Sequence, residues 1–174
     1  MSAIVFRTRR LVVRRWCDAD VPALAAVYGD ADAMRWVGDG EPITAAACVR
    51  WLEVTRRNYA ERGYGMFALE RHTEPGVIGF CGIVHPGGQV EPEIKYALRR
   101  MYWGHGYATE AVAGLLRYGA AVHGLREIIA TVAPANTASH RVLLQVGMLP
   151  GALRPHDDAA RTRLFRWHPA PDAA

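Results

Sequence analysis

Residues Glu93 to Ala111 read EIKYALRRMYWGHGYATEA. Glu93 to Leu98 alternates charged and apolar side chains, the pattern of a strand with two distinct faces. From Tyr107 the period changes. Ala108, Val112, Leu115 and Val122 fall on one helical face, and Gly124 ends the run after His123. Between strand and helix lies a turn holding Gly104 and Gly106. The N–H groups of such a turn and of the first helical turn lack intrahelical partners and sit at the positive end of the helix dipole. They can therefore receive a phosphate or pyrophosphate with little help from charged side chains. The same two glycines could equally serve only a tight turn, so the GxG alone does not decide. A P-loop is excluded because GxxxxGK[ST] is absent, and no GxGxxG follows a first strand.

Outward from this stretch, Glu127 to Val132 (EIIATV) reads as a β-branched strand, and Asn136 caps a helix ending at Gly147. Arg161 to Trp167 is a last strand. Upstream, Gly65–Arg71 and Val77–Val84 are strands joined by the turn Thr73-Glu74-Pro75-Gly76. Thr44 to Glu61 reads as a helix with Thr44 as N-cap, and Ala33 to Glu41 as loop. A helix over Leu24, Val27 and Tyr28 is capped by Asp18 or Asp20, after a short strand at Arg10–Arg15. The order predicts a mixed α/β (α+β) domain with an antiparallel meander in the middle and βα units towards the end. Residues 1–167 form one domain, and 168–174 read as a loose tail.

YWGHGYATEA (Tyr102–Ala111) and PANTASHRVLLQVGM (Pro134–Met148) together resemble two motifs of the GNAT superfamily of acyl-CoA N-acyltransferases. The match is closest to the bacterial branch with the ribosomal-protein N-terminal acetyltransferases (RimJ/RimL-like). There the motifs run W-G-[KRH]-G-Y-A-T-E-A and P-x-N-x-x-S-x-R-V-L-x-x-x-G-[FM]. The opening TRRLVVRRW also resembles that branch, so the likeness spans Thr8 to Trp167. It implies a mixed central sheet with a splayed pair of strands and flanking helices. It also implies acetyl-CoA as co-substrate and transfer of its acetyl group to a primary amine in a ternary complex. One departure stands out: Met101 occupies the position where the superfamily's loop usually opens with Gln or Arg.

The resemblance places the pyrophosphate on the turn Trp103, Gly104, His105, Gly106, Tyr107, Ala108 and Thr109, and the pantetheine beside Ala97, Leu98 and Arg99. Asn136 would touch the pantetheine besides capping its helix, and Arg141 would reach towards the 3′-phosphate. Ser139 corresponds to a proposed proton donor to the CoA thiolate; otherwise it is a first-turn serine. Glu93 aligns with the glutamate of the branch's E-I-G-Y-W-L strand and is the candidate base, acting directly or through water; otherwise it is a surface carboxylate on a half-exposed strand. Lys95, two residues on and on the same face, would hold Glu93 in its carboxylate form and weaken it as a base; the alternative is that Lys95 points at solvent and does nothing. Backbone N–H groups from Tyr96 to Leu98 could polarise the thioester carbonyl. Met34 and Trp36 are candidate walls of the acceptor pocket, with a core tryptophan as the alternative for Trp36.

Composition adds bounds. The chain has 174 residues and 21 basic against 17 acidic side chains, and Lys95 is its only lysine. The longest apolar stretch, Ala111–Val122, contains Arg117 and is too short to span a bilayer. Nucleic-acid binding lacks both a run of five basic residues and a motif. Cys17, Cys48 and Cys81 have no CxxC spacing, which fits a reducing cytoplasm and leaves no credible covalent nucleophile. No cluster has metal-ligand spacing, so no metal is expected. The acceptor is a protein N-terminal α-amine or a small-molecule amine. The alternative reading is a non-catalytic acyl-CoA-binding regulatory module on the same fold. A homodimer is common in the branch, and the sequence does not establish one.

Overall fold

The computed structural model describes residues 3–37, 40–155 and 161–170. Eight strands form one sheet: β1 (Ile4–Arg7), β2 (Leu11–Arg14), β3 (Met66–Arg71), β4 (Val77–Val84), β5 (Glu93–Leu98), β6 (Ile128–Val132), β7 (Leu149–Pro155) and β8 (Arg161–Trp167). Their spatial order is β1-β2-β3-β4-β5-β6-β8-β7. Each neighbouring pair is antiparallel except β5 and β6, which run parallel. β5 pairs with β4 along its whole length, yet meets β6 at the single pair Glu93–Ile129. The two strands diverge beyond that point.

Helices cover both faces: α1 (Val21–Tyr28), α2 (Ala31–Met34) and α3 (Ala45–Arg62) on one, α4 (Tyr107–His123) and α5 (Thr137–Gln145) on the other. The α4 face buries Phe67, Ile83, Leu115, Ile128 and Phe165 completely or nearly so. On the opposite face Tyr28 stacks on Phe80 with centroids 4.5 Å apart, roofed by Trp51. Cys48 and Cys81 are small core residues, as their apolar surroundings suggest. Among the described residues, no helix is long and apolar enough to cross a membrane.

Three expectations need correction. The segment Ala33–Glu41 is not all loop, and residues 38–39 lie outside the described ones. Its first residues finish α2, whose N-terminus is capped by Asp30 accepting from the N–H groups of Asp32 and Ala33. β1 and β7 were not anticipated: β1 has only four residues, and β7 carries Pro150 and Gly151, which usually argue against a strand. Both sit at sheet edges, where a proline costs no ladder bond, and β7 is bulged between Pro150 and Leu153. Asp20 does precede α1, but its carboxylate does not cap it. It accepts from Arg14 at 2.6 and 2.8 Å instead. Thr44 and Asn136 cap α3 and α5 as expected. Of the tail 168–174, residues 171–174 lie outside the described ones.

Candidate active site

The opening between β5 and β6 organises the site. The Arg99 N–H donates to the Ile78 carbonyl on β4, and Ile129 N–H donates to the Pro92 carbonyl. Strand alternation therefore turns the main-chain groups of 93, 95 and 97 towards β4 and those of 94, 96 and 98 towards the opening. The N–H groups of Tyr96 and Leu98 thus face the gap. Ala97 does not contribute: its backbone faces β4 and its side chain is core. The Leu98 carbonyl accepts from the Trp103 indole N–H at 2.7 Å, which ties the following turn to the strand end.

That turn is built around two left-handed residues. Gly104 and Gly106 both have φ of +76°, a conformation that costs an L side chain about 1–2 kcal/mol. A Cβ on Gly104 would meet nothing within 4 Å, so backbone geometry, not crowding, selects glycine there. Gly106 caps α4, whose first N–H groups lack carbonyl partners within the helix. The β1–β2 turn braces this loop from behind. Glu110 accepts from the Thr8 hydroxyl, the Arg10 N–H and the Arg10 side chain, each at 2.6 Å. Arg10 also donates to the His105 carbonyl at 2.8 Å and lies over the Tyr107 ring. Burial alone would raise the Glu110 carboxyl; these donors outweigh it and hold it below its usual value. The His105 ring is exposed, as is Met101, and Thr109 bonds Gln145 on α5 at 3.0 Å. The turn can therefore receive an oxyanion through backbone donors, and Met101 adds no polar group to it.

Two side-chain clusters flank the gap, one per face. On the α5 face the Tyr96 hydroxyl donates to Ser139 Oγ at 3.0 Å. Ser139 is set in place by its own N–H, which donates to Asn136 Oδ1 at 3.2 Å. Burial pushes the Tyr96 phenol up to about 12, partly opposed by its bond to Ser139, so it stays protonated at neutral pH. The Nδ2 of Asn136 donates to no atom among the described residues, and Arg141 is exposed without a partner among them.

On the α1–α3 face lies Glu93, and it is not a half-exposed surface group: it is 2% exposed. Lys95 Nζ lies 2.5 Å from its Oε1, Thr131 donates to the same oxygen, and Gln89 Nε2 reaches Oε2 at 3.1 Å. Three donors thus occupy Oε1 twice and Oε2 once, which leaves about one of the carboxylate's four lone-pair sites. That engagement weakens Glu93 as a direct base and leaves a role through water untouched. Lys95 lands where the alternation predicted, beside Glu93. Trp36 is no core tryptophan: it is 44% exposed beneath Arg35, whereas Met34 is 2% exposed and lines the core, not a pocket. The Arg100 side chain is drawn away from the turn, pairing with Asp32 at 2.8 Å.

Sequence reading missed Tyr96 as a side chain, and it missed Thr131 and Gln89. The period of two on β5 carried the signal for Tyr96, since it sets 96 on the face opposite 93 and 95. Nothing local marks Thr131 or Gln89, which reach Glu93 only through strand pairing and the β4–β5 turn.

A family model described as acetyltransferase (GNAT) domain matches residues 10–149. The chain is 30% identical over 162 residues to the uncharacterized N-acetyltransferase p20 of Bacillus licheniformis, across 91% of this chain and 89% of that one. The acetyltransferase from Agrobacterium tumefaciens superposes with TM-score 0.80 at 26% identity, covering 94% of both chains. RimL, a ribosomal L7/L12 α-N-protein acetyltransferase solved with coenzyme A, superposes at 0.81 with 15% identity, covering 95% of this chain and 97% of its own; it shares the fold. A sheet opened at one strand pair, with these matches, defines an acetyl-CoA-dependent acetyltransferase. The chain belongs to the GNAT family and is an N-acetyltransferase of that family.

Proposed function

We propose that this N-acetyltransferase passes the acetyl group directly from acetyl-CoA to a primary amine in a ternary complex, as a RimJ/RimL-like enzyme. The acceptor is a protein N-terminal α-amine or a small-molecule amine. The observation that carries this reading is the Tyr96–Ser139 pair standing at the open edge of β5. Tyr96 donates to Ser139 Oγ, which leaves the Ser139 proton free for the sulfur that departs as the thioester breaks. The first turn of α5 adds the positive end of its dipole at Ser139. The N–H groups of Tyr96 and Leu98 face the place where the carbonyl oxygen gains charge. The braced turn Trp103–Thr109 receives the pyrophosphate, with the Asn136 amide and Arg141 free for the rest of the cofactor chain. The test is a screen of amines and N-terminal peptides for acetyl-CoA-dependent thiol release with a matching mass gain of the acceptor. Thiol release without acetylated product would sink the reading.

Two expected outcomes follow from the site. Gly106→Val forces a β-branched residue into φ of +76° and disturbs the cradle, so coenzyme A should bind about tenfold more weakly or worse by calorimetry. Unchanged affinity would remove the pyrophosphate from this turn. Because Lys95, Thr131 and Gln89 already hold Glu93, the amine loses its proton to water before or during attack. The kcat/KM profile should therefore rise with pH through the acceptor's own amine pKa, near 8 for an α-amine and near 10.4 for a lysine-like amine. Glu93→Gln should keep that rise; its loss would restore Glu93 as the base.

A further inference from the structure

A cavity of about 310 Å³ lies between α3 and the start of the β4–β5 turn, outside the cluster described above. It opens on the sheet face that carries Glu93, because Val84 in its wall is the cross-strand partner of Glu93. Its apolar walls come from Trp51, Met66 and Val84. Its polar wall comes from Thr55, Asn58 and Arg62, one turn apart along α3. Thr55 is 2% exposed, and its hydroxyl pairs with no protein atom among the described residues. Asn58 and Arg62 likewise have no side-chain partner among them. Among the described residues, no acidic side chain lines the cavity. His85, at the rim, is already engaged: it bonds Tyr64 at 2.9 Å and the Gln89 carbonyl at 3.0 Å. A small, half-apolar hollow with an unspent cation and two unspent hydrogen-bonding groups suits an anionic end group on a short apolar body. It repels a polyamine, for which it would need carboxylates.

We propose that this hollow is the far end of the acceptor site. It rests on the proposed amine transfer and gives that reaction its substrate class: a primary amine on an extended spacer that ends in an oxyanion. Arg62 takes the oxyanion by a charge-assisted pair, Thr55 and Asn58 donate to it, and Trp51 covers the spacer. The spacer length follows from the sheet. The hollow lies under β4 level with Glu93, and the N–H groups of Tyr96 and Leu98 lie two strand spacings across and three to five residues further along β5, roughly 14–19 Å away. A free α-amino acid is too short to bridge this. A peptide of about five residues with a free carboxylate is long enough.

The experiment compares acetyl transfer to a five-residue alanine peptide with a free carboxylate, to its C-terminal carboxamide, to a four-residue alanine peptide amide-linked to 2-aminoethyl phosphate, and to hexylamine. Wild-type enzyme should favour the oxyanion-bearing amines over the carboxamide and hexylamine by tenfold or more in kcat/KM. The carboxylate and phosphate arms show which oxyanion fits better. Arg62→Met should erase the preference mainly through the acceptor KM and leave the acetyl-CoA KM unchanged. A parallel arm measures binding of the N-acetylated five-residue alanine peptide by calorimetry; Arg62→Met and Thr55→Val should each weaken it, and Arg62→Met by tenfold or more. Amines acetylated without charge preference, or a preference that survives Arg62→Met, would overturn the acceptor-end assignment while leaving N-acetyl transfer intact. Arg62-dependent binding with no transfer to any amine would keep the hollow as an oxyanion site and sink the transfer reading. Neither binding nor transfer would overturn both.

Discussion

Ser139→Ala should lower kcat by about 10²-fold, the lower end of what a positioned general acid supplies, while the KM for acetyl-CoA changes little. The reason is geometric. Ser139 is held from both sides, by Asn136 at its N–H and by the Tyr96 hydroxyl at its oxygen. Removing the Oγ deletes the last atom of that chain and leaves Tyr96 about one hydrogen bond short of the sulfur. Tyr96→Phe should cost less, roughly tenfold, because Ser139 remains and loses only the donor that polarises it. The double variant should resemble Ser139→Ala alone, since the two hydroxyls act in series. Single-turnover kinetics check this directly. Additive losses would place the two residues in separate roles, and a Ser139→Ala enzyme with full kcat would leave only the capping function of Asn136 in this turn.

The largest stability effect should come from Arg14→Met, at about 3 kcal/mol or more, the scale seen when one partner of a buried ion pair is removed. Arg14 is 12% exposed at its side chain and sits between Asp20 and Glu70, at 2.6 and 2.7 Å. Methionine would fill much of the space but leave two carboxylates facing each other without a cation. For a chain of 174 residues that corresponds to a Tm lower by roughly 6–12 °C in a thermal melt. The same triad sets the acid limb of stability. Burial alone would push the Asp20 carboxyl up; hydrogen bonds from Arg14 and from the main chain and thiol of Cys17 reverse that and hold it below its usual value. A carboxylate depressed on folding contributes stability above its unfolded pKa and loses it as pH falls through the folded one. Asp20 and Glu110 both behave this way, so wild-type stability should fall below about pH 4. Asp20→Asn should flatten part of that fall, and an unchanged acid limb would show that the triad adds nothing.

Most of the fold was legible because its elements announce themselves locally. Gly124 closes α4, Thr44 and Asn136 cap α3 and α5, and Pro75-Gly76 turns β3 into β4. β1 and β7 were invisible for the same reason inverted. Four residues carry too little periodicity, and Pro150-Gly151 looks like a loop until an edge position makes it harmless. The site divides along similar lines. The turn Trp103–Thr109 and the Asn136–Ser139 cap are local and were readable. The donor set around Glu93 is not, because Thr131 and Gln89 arrive from 38 residues downstream and four upstream across a strand pair and a turn. The brace of Thr8 and Arg10 on Glu110 spans about a hundred positions and belongs to the same class.

The lone Glu93–Ile129 pair has a further consequence. It leaves the sheet as two blocks, β1 to β5 and β6-β8-β7, seamed at one main-chain pair and by the Thr131 side chain on Glu93 and Lys95, with helices packed across both. A cofactor chain lying along the β5 edge would act as the missing stitch. Binding should then slow amide hydrogen exchange at Tyr96 and Leu98 and on β6 together, although β6 itself gains few contacts. The cofactor would be part of the protein's mechanical continuity as well as its acetyl donor.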